Sequence, residues 1–352
     1  MQREKQLVVV LGSGGTIAGT ARSSDDNIGY RSAQLSVSQL VAAVPALAEY
    51  AIEAEQVAQI DSKDMSPAVW QRLVQRATFQ LNRVEVAGVV ITHGTDTMEE
   101  TAWMLHRVLA PTKPVVLTGA MHPATSLLPD GPQNLLDAVR VATSRQAQGV
   151  LVALAGEVHG ASDVQKMHSR RLTTFASPHT GPVARIEDGR LEFSRPCPVG
   201  VPMAGEVINQ DPALWPWVEI LTSHAGATGA AVQALVAAGV RGLVVAGTGN
   251  GSVHMALNAA LLLAAEQGVQ VRVASRCAEG GVMFSERFSE RFSAGSEASN
   301  QWRSYGALNA AKSRIELMLE ILVGLASCDK PSANVSVDAR PSAVTLSAQK
   351  QR

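Results

Sequence analysis

Several things are scarce in this chain of 352 residues. Aromatic residues make up only 4% of it, too few for the stacking platforms that bind single-stranded nucleic acid. Charge of one sign is missing as well: 30 basic against 31 acidic residues leave a net charge of −1. No strong field draws a polyanion, so neither nucleic acid nor an anionic membrane surface is expected as a partner. Cysteine occurs only as Cys197, Cys277 and Cys328, far apart and without a CxxC pair. That suggests neither a zinc cluster nor a disulfide framework and fits a reducing compartment. Apolar runs are short throughout. None approaches the roughly 18 residues of a membrane-spanning helix. The opening "MQREKQLVVVL" lacks the longer apolar region and small-residue cleavage site of a signal peptide. A cytoplasmic protein is expected, with a periplasmic signal removed ahead of this numbering as the alternative.

What is present describes a globular α/β protein. Hydrophobic residues are 46% and charged residues 17%, and the length suffices for two ordinary domains. "LVVVL" (7–11), "GVVIT" (88–92), "PVVLTG" (114–119) and "GVLVAL" (149–154) read as buried strands of a parallel sheet. Helical patterns lie between them. In 97–109, Met98, Ala102, Leu105 and Leu109 share one face. Asp96 followed by Glu99 has the spacing of a capping box at the start of that helix. After about residue 186 the rhythm breaks: "EDGRLEF" (187–193) reads as the end of a hairpin, and 194–214 is a Pro- and Gly-rich linker. Alternation then resumes with strands at 218–221, 242–249 and 269–275, and helices near 229–238 and at 255–267. A final helix over 306–325 presents Leu308, Ala311, Ile315, Leu319 and Leu322. The domains expected are 1–193, α/β and catalytic, and 215–326, a smaller α/β unit, followed by a disordered tail over 327–352. The duplication "SERFSERF" (285–292) forms no repeat architecture.

The glycine-rich turn after the first strand, "LGSGGTIAG" (11–19), invites a nucleotide reading. A dinucleotide fingerprint needs GxGxxG, and Gly12 and Gly14 fit, but Ile17 stands where the third glycine belongs. A phosphate-binding P-loop needs Lys after its second glycine, and Thr20 follows Gly19 instead. What remains is Thr16 at the carboxyl end of a strand, where open α/β sheets place ligands. A turn that merely reverses the chain fits the same residues.

A second stretch, "GVVITHGTDTMEETAWML" (88–105), repeats the layout of strand, polar Gly turn and helix, with Thr95 standing 79 residues after Thr16. "GGTIAG", "ITHGTDTMEETA" and "MHPATSLLPDGPQNLLDAV" (121–139) together resemble the bacterial L-asparaginase (asparaginase/glutaminase) family, and the likeness runs in order over about residues 7 to 325. The resemblance implies a larger N-terminal α/β domain with a mostly parallel sheet, a linker, and a smaller flavodoxin-like C-terminal domain. It also implies a homotetramer with sites shared between subunits, no metal or organic cofactor, and hydrolysis of L-asparagine to L-aspartate and ammonia with some activity on L-glutamine. A related amidase with another side-chain preference is the alternative. A non-enzymatic amino-acid or nucleotide sensor is the third reading.

The resemblance also distributes roles. Thr16 matches the nucleophile that forms an acyl-enzyme, and Tyr30, in "SSDDNIGYRS", matches a lid tyrosine that helps activate it. Taken alone, Tyr30 reads first as a packed ring with a wet hydroxyl. Thr95, Asp96 and Lys166 match a second constellation, in which the lysine amine takes a proton for Thr95 or a water beside it, and Asp96 holds the substrate ammonium. The bare alternatives are a solvated lysine and a helix cap. Ser62 matches a contact to the substrate carboxylate, and Lys63 departs from the Gln or Glu of many relatives. In "AGTGNGSVHM" (246–255), Ser252 and Asn250 fall in a segment that reaches a neighbouring site, where a left-handed Asn in a Gly turn is the structural alternative. Glu286, or Glu290 instead, supplies an acidic group from a neighbouring subunit. Ser13 and His93 are read as structural, and no histidine pair has metal-ligand spacing.

Overall fold

The run Leu7–Gly14 forms the first strand, β1, and Val8, Val9, Val10 and Leu11 are fully buried in the computed structural model. Both faces of this strand are covered, which is why its apolar residues run on without alternation. The structure describes residues 6–203, 205, 207–283 and 303–328. The chain continues through α1 (Val37–Ala42), β2 (Ala51–Ile60), α2 (Pro67–Leu81), β3 (Val86–Thr92), α3 (Met98–Leu109), β4 (Val115–Thr118), α4 (Gly131–Thr143) and β5 (Val150–Leu154). Then come β6 (Glu157–Gly160), β7 (Gln165–Lys166), β8 (Phe175–Ala176), β9 (Ala184–Glu187) and β10 (Arg190–Phe193).

One eight-stranded sheet takes the order β10-β9-β6-β5-β4-β3-β1-β2. Strands β2, β1, β3, β4 and β5 pair in parallel, and β6, β9 and β10 extend one edge antiparallel. Val9 and Leu11 share a core with Trp70 and Leu73 of α2 and Met98 and Leu105 of α3. Val8 and Val10 face the other layer, built from Val37 and Leu40 of α1 and Leu135 and Val139 of α4. The hairpin expected at 187–193 is β9–β10, turning at Asp188 and Gly189.

The second part of the chain contains β11 (Val218–Thr222), α5 (Ala230–Ala237), β12 (Gly242–Gly247), α6 (Met255–Glu266), β13 (Gln270–Ser275) and α7 (Ala310–Cys328). Its three described strands form a parallel sheet in the order β11-β12-β13. Helix α7 ties the two sheets together. Ile315, Leu319 and Leu322 join one core with Val244 and Ala274 of the small sheet and Trp103 and Met104 of α3. Glu316 accepts from Arg107 Nε at 2.9 Å and from Trp103 Nε1 at 3.1 Å across the same contact. Between the two parts, the segment expected as a linker is fastened down: Gln71 of α2 donates to the carbonyls of Ile208 and Gln210 at 2.8 and 2.7 Å.

Two local expectations are corrected. The final helix begins at Ala310 rather than 306, because Asn309 Oδ1 accepts from Lys312 N at 3.0 Å and so caps the helix. The capping box of Asp96 and Glu99 does not form. Thr97 is the N-cap of α3 and its hydroxyl donates to Ser62 O at 2.7 Å, while both acidic side chains reach across the site instead. The disordered tail expected from 327 is corrected at its first two residues, which still belong to α7, and otherwise lies outside the described residues.

Candidate active site

Two glycines bring the threonine turns together. Gly14 and Gly15, at the end of β1, have φ of 105° and 83°, a region open to glycine at little cost. A Cβ built on Gly15 would stand 2.4 Å from the backbone N of Gly94, in the turn after β3. A Cβ on Gly94 would in turn stand 2.4 Å from Ser62 Oγ. The Gly15, Gly94 and Ser62 segments therefore lie in direct contact, which gathers Thr16, Ser62 and Thr95 at the carboxyl ends of three adjacent parallel strands, β1, β2 and β3. Gly15→Ala must displace backbone as well as adopt a strained φ. It is expected to cost about 3 kcal/mol or more of stability, read by urea unfolding, and wild-type stability would contradict the packing described.

Thr16 is 7% exposed and opens a short 3-10 turn over Thr16–Ala18. Its Oγ1 lies 2.7 Å from the hydroxyl of Tyr30. The Tyr30 ring is packed on Gly19, where a Cβ would stand 2.9 Å from ring atom Cδ2. Residues 20–31 form a closed loop, because Thr20 and Arg31 exchange both backbone bonds at 2.9 Å. That loop is fastened to the next one. Ala21 N donates to Thr125 Oγ1 at 2.8 Å, Leu127 N to Ser24 O at 2.9 Å, and Ala124 N to Gly19 O at 3.0 Å.

Thr95 is 4% exposed, and Lys166 Nζ donates to its Oγ1 at 2.9 Å. The same ammonium donates to Asp96 Oδ1 at 2.6 Å. The Asp96 side chain is 58% exposed, and its second oxygen accepts no bond among the described residues. One carboxylate oxygen thus steadies the lysine and the other faces outward. Glu99, read from the sequence only as a capping residue, accepts from the backbone N of Lys166 at 3.0 Å and from Asn309 Nδ2 at 3.3 Å. The pattern-based reading assigned no site role to Glu99 or Asn309. A bond to the backbone N of a residue 67 positions away leaves no local signal.

His93 is buried beneath the second turn. Trp70 Nε1 donates to Thr101 Oγ1 at 2.9 Å, and that hydroxyl stands 2.9 Å from His93 Nε2. Gly94 O can only accept, so Nδ1 carries the proton and donates to it at 2.7 Å, and the bare Nε2 of the neutral ring accepts from the Thr101 hydroxyl. The neutral ring thereby pins the Gly94 peptide. Burial pushes His93, His106 and His159 each down to about 4 from 6.5. In the unfolded chain these rings titrate near 6.5, so between 6.5 and 4 the unfolded state binds more protons. Their contribution is complete above that window and is lost as pH falls through it. At about pH 5 the loss is about 2 kcal/mol per ring. Thermal unfolding midpoints should therefore fall between about pH 7 and about pH 5, and equal midpoints would refute this.

The remaining sequence candidates fall as follows. Ser62 is buried, and its hydroxyl makes no hydrogen bond among the described residues. Lys63 turns to its neighbours, 2.9 Å from Asp61 and 3.2 Å from Asp64, and the Asp61 carboxylate holds its ammonium above the usual lysine range. Asn250 is not left-handed. Gly249 and Gly251 take the positive φ on either side, and the Asn250 amide bonds Met283 O and N at 3.0 and 2.7 Å. Ser252 is exposed and pairs through its backbone with Thr248. Glu286 and Glu290 lie outside the described residues. Ser13 is buried and donates to Thr92 O at 2.8 Å, tying β1 to β3.

Known proteins share this architecture. Residues 7–198 match the family model "Asparaginase, N-terminal", and residues 217–326 match "Glutaminase/Asparaginase C-terminal domain". The chain is 37% identical to the probable periplasmic L-asparaginase of Haemophilus influenzae, over 89% of this chain and 88% of the relative. It is 36% identical to the glutaminase-asparaginase of Pseudomonas fluorescens, over 89% and 86%. L-asparaginase 2 of Escherichia coli is 35% identical over 89% and 88%. Among solved structures, the probable cytoplasmic L-asparaginase of Campylobacter jejuni superposes with a TM-score of 0.79 at 37% identity, covering 90% of this chain and 95% of that one. With both its N- and C-terminal parts matched, this chain belongs to the asparaginase family.

Proposed function

We propose that this chain hydrolyses L-asparagine to L-aspartate and ammonia, with Thr16 as the nucleophile and Thr95, Asp96 and Lys166 completing the machinery. The observation that carries this reading is the pairing of two buried hydroxyls with two different activating groups, Tyr30 on Thr16 and Lys166 on Thr95, in turns held together at Gly15 and Gly94. In the first step Thr16 Oγ1 attacks the side-chain amide carbon. The C–N bond breaks, the hydroxyl proton passes through Tyr30 to the leaving nitrogen, and ammonia departs. In the second step a water held beside Thr95 and Lys166 attacks the acyl ester, Thr16 recovers its proton, and aspartate is released. The outward oxygen of Asp96 receives the substrate ammonium, and Ser62 Oγ, which makes no bond among the described residues, receives its carboxylate.

Ammonia release measured side by side with L-asparagine and L-glutamine tests the reading. Turnover of asparagine, with glutamine slower, is expected. No ammonia from either at millimolar concentration would overturn it.

The chain is further proposed to assemble as a homotetramer. Helix α5 buries only Val232 among the described residues and exposes Ala230, Ala231, Ala234 and Ala237, and α6 leaves Met255 and Leu263 exposed. Apolar helix faces of this kind favour contact with another subunit. Sedimentation equilibrium measures the assembly, and a monomer would refute it. We place the protein in the cytoplasm, as the name of the Campylobacter jejuni relative does for that protein. Cell fractionation tests the placement.

A further inference from the structure

Lys312, in the first turn of α7, is 1% exposed and heads the fully buried side chains by size. A lysine so deep in the protein is costly unless its ammonium is satisfied. Its Nζ donates to Val164 O at 2.5 Å and Ser162 O at 3.2 Å. Both carbonyls belong to the short segment that runs directly into Lys166. The other side of that segment is gripped from the same helix: Asn309 Nδ2 holds Glu99 Oε1, and Glu99 Oε2 receives the backbone N of Lys166. Asn309 Oδ1 also accepts from Lys312 N at 3.0 Å, so the two residues form one unit at the helix start. Strand β7, which carries Lys166, is only two residues long and pairs with a strand of two residues. So short a ladder cannot by itself fix a side chain that must meet both Thr95 and Asp96.

We propose that Lys312, with Asn309, is a positioning residue for Lys166: the second part of the chain clamps the backbone of 162–166 and so sets the ammonium against Thr95. The inference rests on the role proposed for Lys166 above. Burial pushes the Lys312 ammonium down to about 8, and Glu99 and Asp163 oppose that shift, so two nearby carboxylates supplement the carbonyl dipoles in balancing it. The clamp explains why a lysine occupies a buried position on the helix face that also carries Ile315 and Leu319. A purely apolar contact there would leave the Ser162 and Val164 carbonyls without their donor.

Lys312→Met and Asn309→Ala test this in the full-length protein. Three quantities are read in each: the unfolding midpoint, kcat and KM for L-asparagine, and amide hydrogen exchange of the peptide covering 161–166. Lys312→Met should lower kcat about tenfold to a hundredfold through misplacement of Lys166. Its KM should stay within about threefold, because substrate contacts are untouched. Asn309→Ala should show the same signature with a smaller fall. In both, exchange in 161–166 should quicken while the peptides of β1 and β3 keep their protection. Folded variants with wild-type kcat, or with a change in KM alone, would overturn the proposal. Should Lys312→Met fail to fold, Asn309→Ala decides by the same criteria. Should the wild type release no ammonia, the functional reading fails instead. The exchange measurement then still decides whether the clamp exists, and unchanged exchange in the variants would reject it.

Discussion

Thr16→Ala should lower kcat for L-asparagine by about three orders of magnitude or more while leaving the fold intact. The substitution removes a methyl and a hydroxyl from a nearly buried position, and that hydroxyl's partner is Tyr30. The backbone of the turn is held independently. Gly15 N donates to Ile60 O at 2.9 Å, Gly19 N donates to Thr16 O at 2.8 Å, and Ala33 N donates to Gly15 O at 3.1 Å. None of these bonds involves the lost hydroxyl, so the unfolding midpoint should change little. Binding should survive too, because Asp96 and Ser62 are untouched, and L-asparagine should still raise the unfolding midpoint of the variant. Without a nucleophile no acyl-enzyme forms, so no burst of ammonia should precede steady turnover. A Thr16→Ala protein with more than about a tenth of wild-type kcat would remove Thr16 from the nucleophile's place.

Lys166→Met should cost about 10² to 10⁴ in kcat, the range for removal of a positioned proton-transfer group. Thr95→Val should cost a similar amount. The more discriminating result is the combination. Lys166 Nζ touches Thr95 Oγ1 directly, so the two act as one unit and their losses should not multiply. The double variant is expected to fall little below the worse single one. Fully multiplicative losses would mean that the two serve separate steps. Asp96 complicates Lys166→Met, since its carboxylate loses a cation at 2.6 Å. Asp96 is mostly solvent-exposed, so water replaces that contact, and the substrate ammonium should then bind at least as well as before. A KM that rises steeply in Lys166→Met would contradict this assignment of the outward carboxylate oxygen.

Much of the fold was legible along the chain for a simple reason. Strands buried on both faces carry uninterrupted apolar runs, so β1, β3, β4, β5 and β12 announce themselves. Strand β2 does not, because the ten residues of this edge strand, "AIEAEQVAQI", mix polar and apolar side chains without strict alternation and remain largely exposed or half-buried. The start of α3 was misread because Asp96 and Glu99 have capping spacing, yet each finds a partner far away in sequence. The same limit governs the site. Thr16 and Tyr30 are 14 residues apart, but Thr95 and Lys166 are 71 apart, and Lys312 is 148 from Val164. Such pairings exist only once the sheet has set its strands side by side. Motif resemblance pointed to the first two pairs. The third had only a lysine among the buried positions of the last helix to mark it.

The loop carrying Tyr30 has one more consequence. Its fastenings to Thr125 and Leu127 are few and lie near the surface, so they are the bonds that must yield if substrate is to enter from that side. If the loop swings out as a unit about Thr20 and Arg31, the Tyr30 hydroxyl moves away from Thr16. Access and reactivity are thereby interlocked. With the loop swung out, the threonine is an ordinary alcohol facing bulk water. With the loop home, it is paired with its tyrosine and shielded. If Thr16 is the nucleophile proposed above, the arrangement works as a safety catch: the threonine is paired with its tyrosine only while the loop is home.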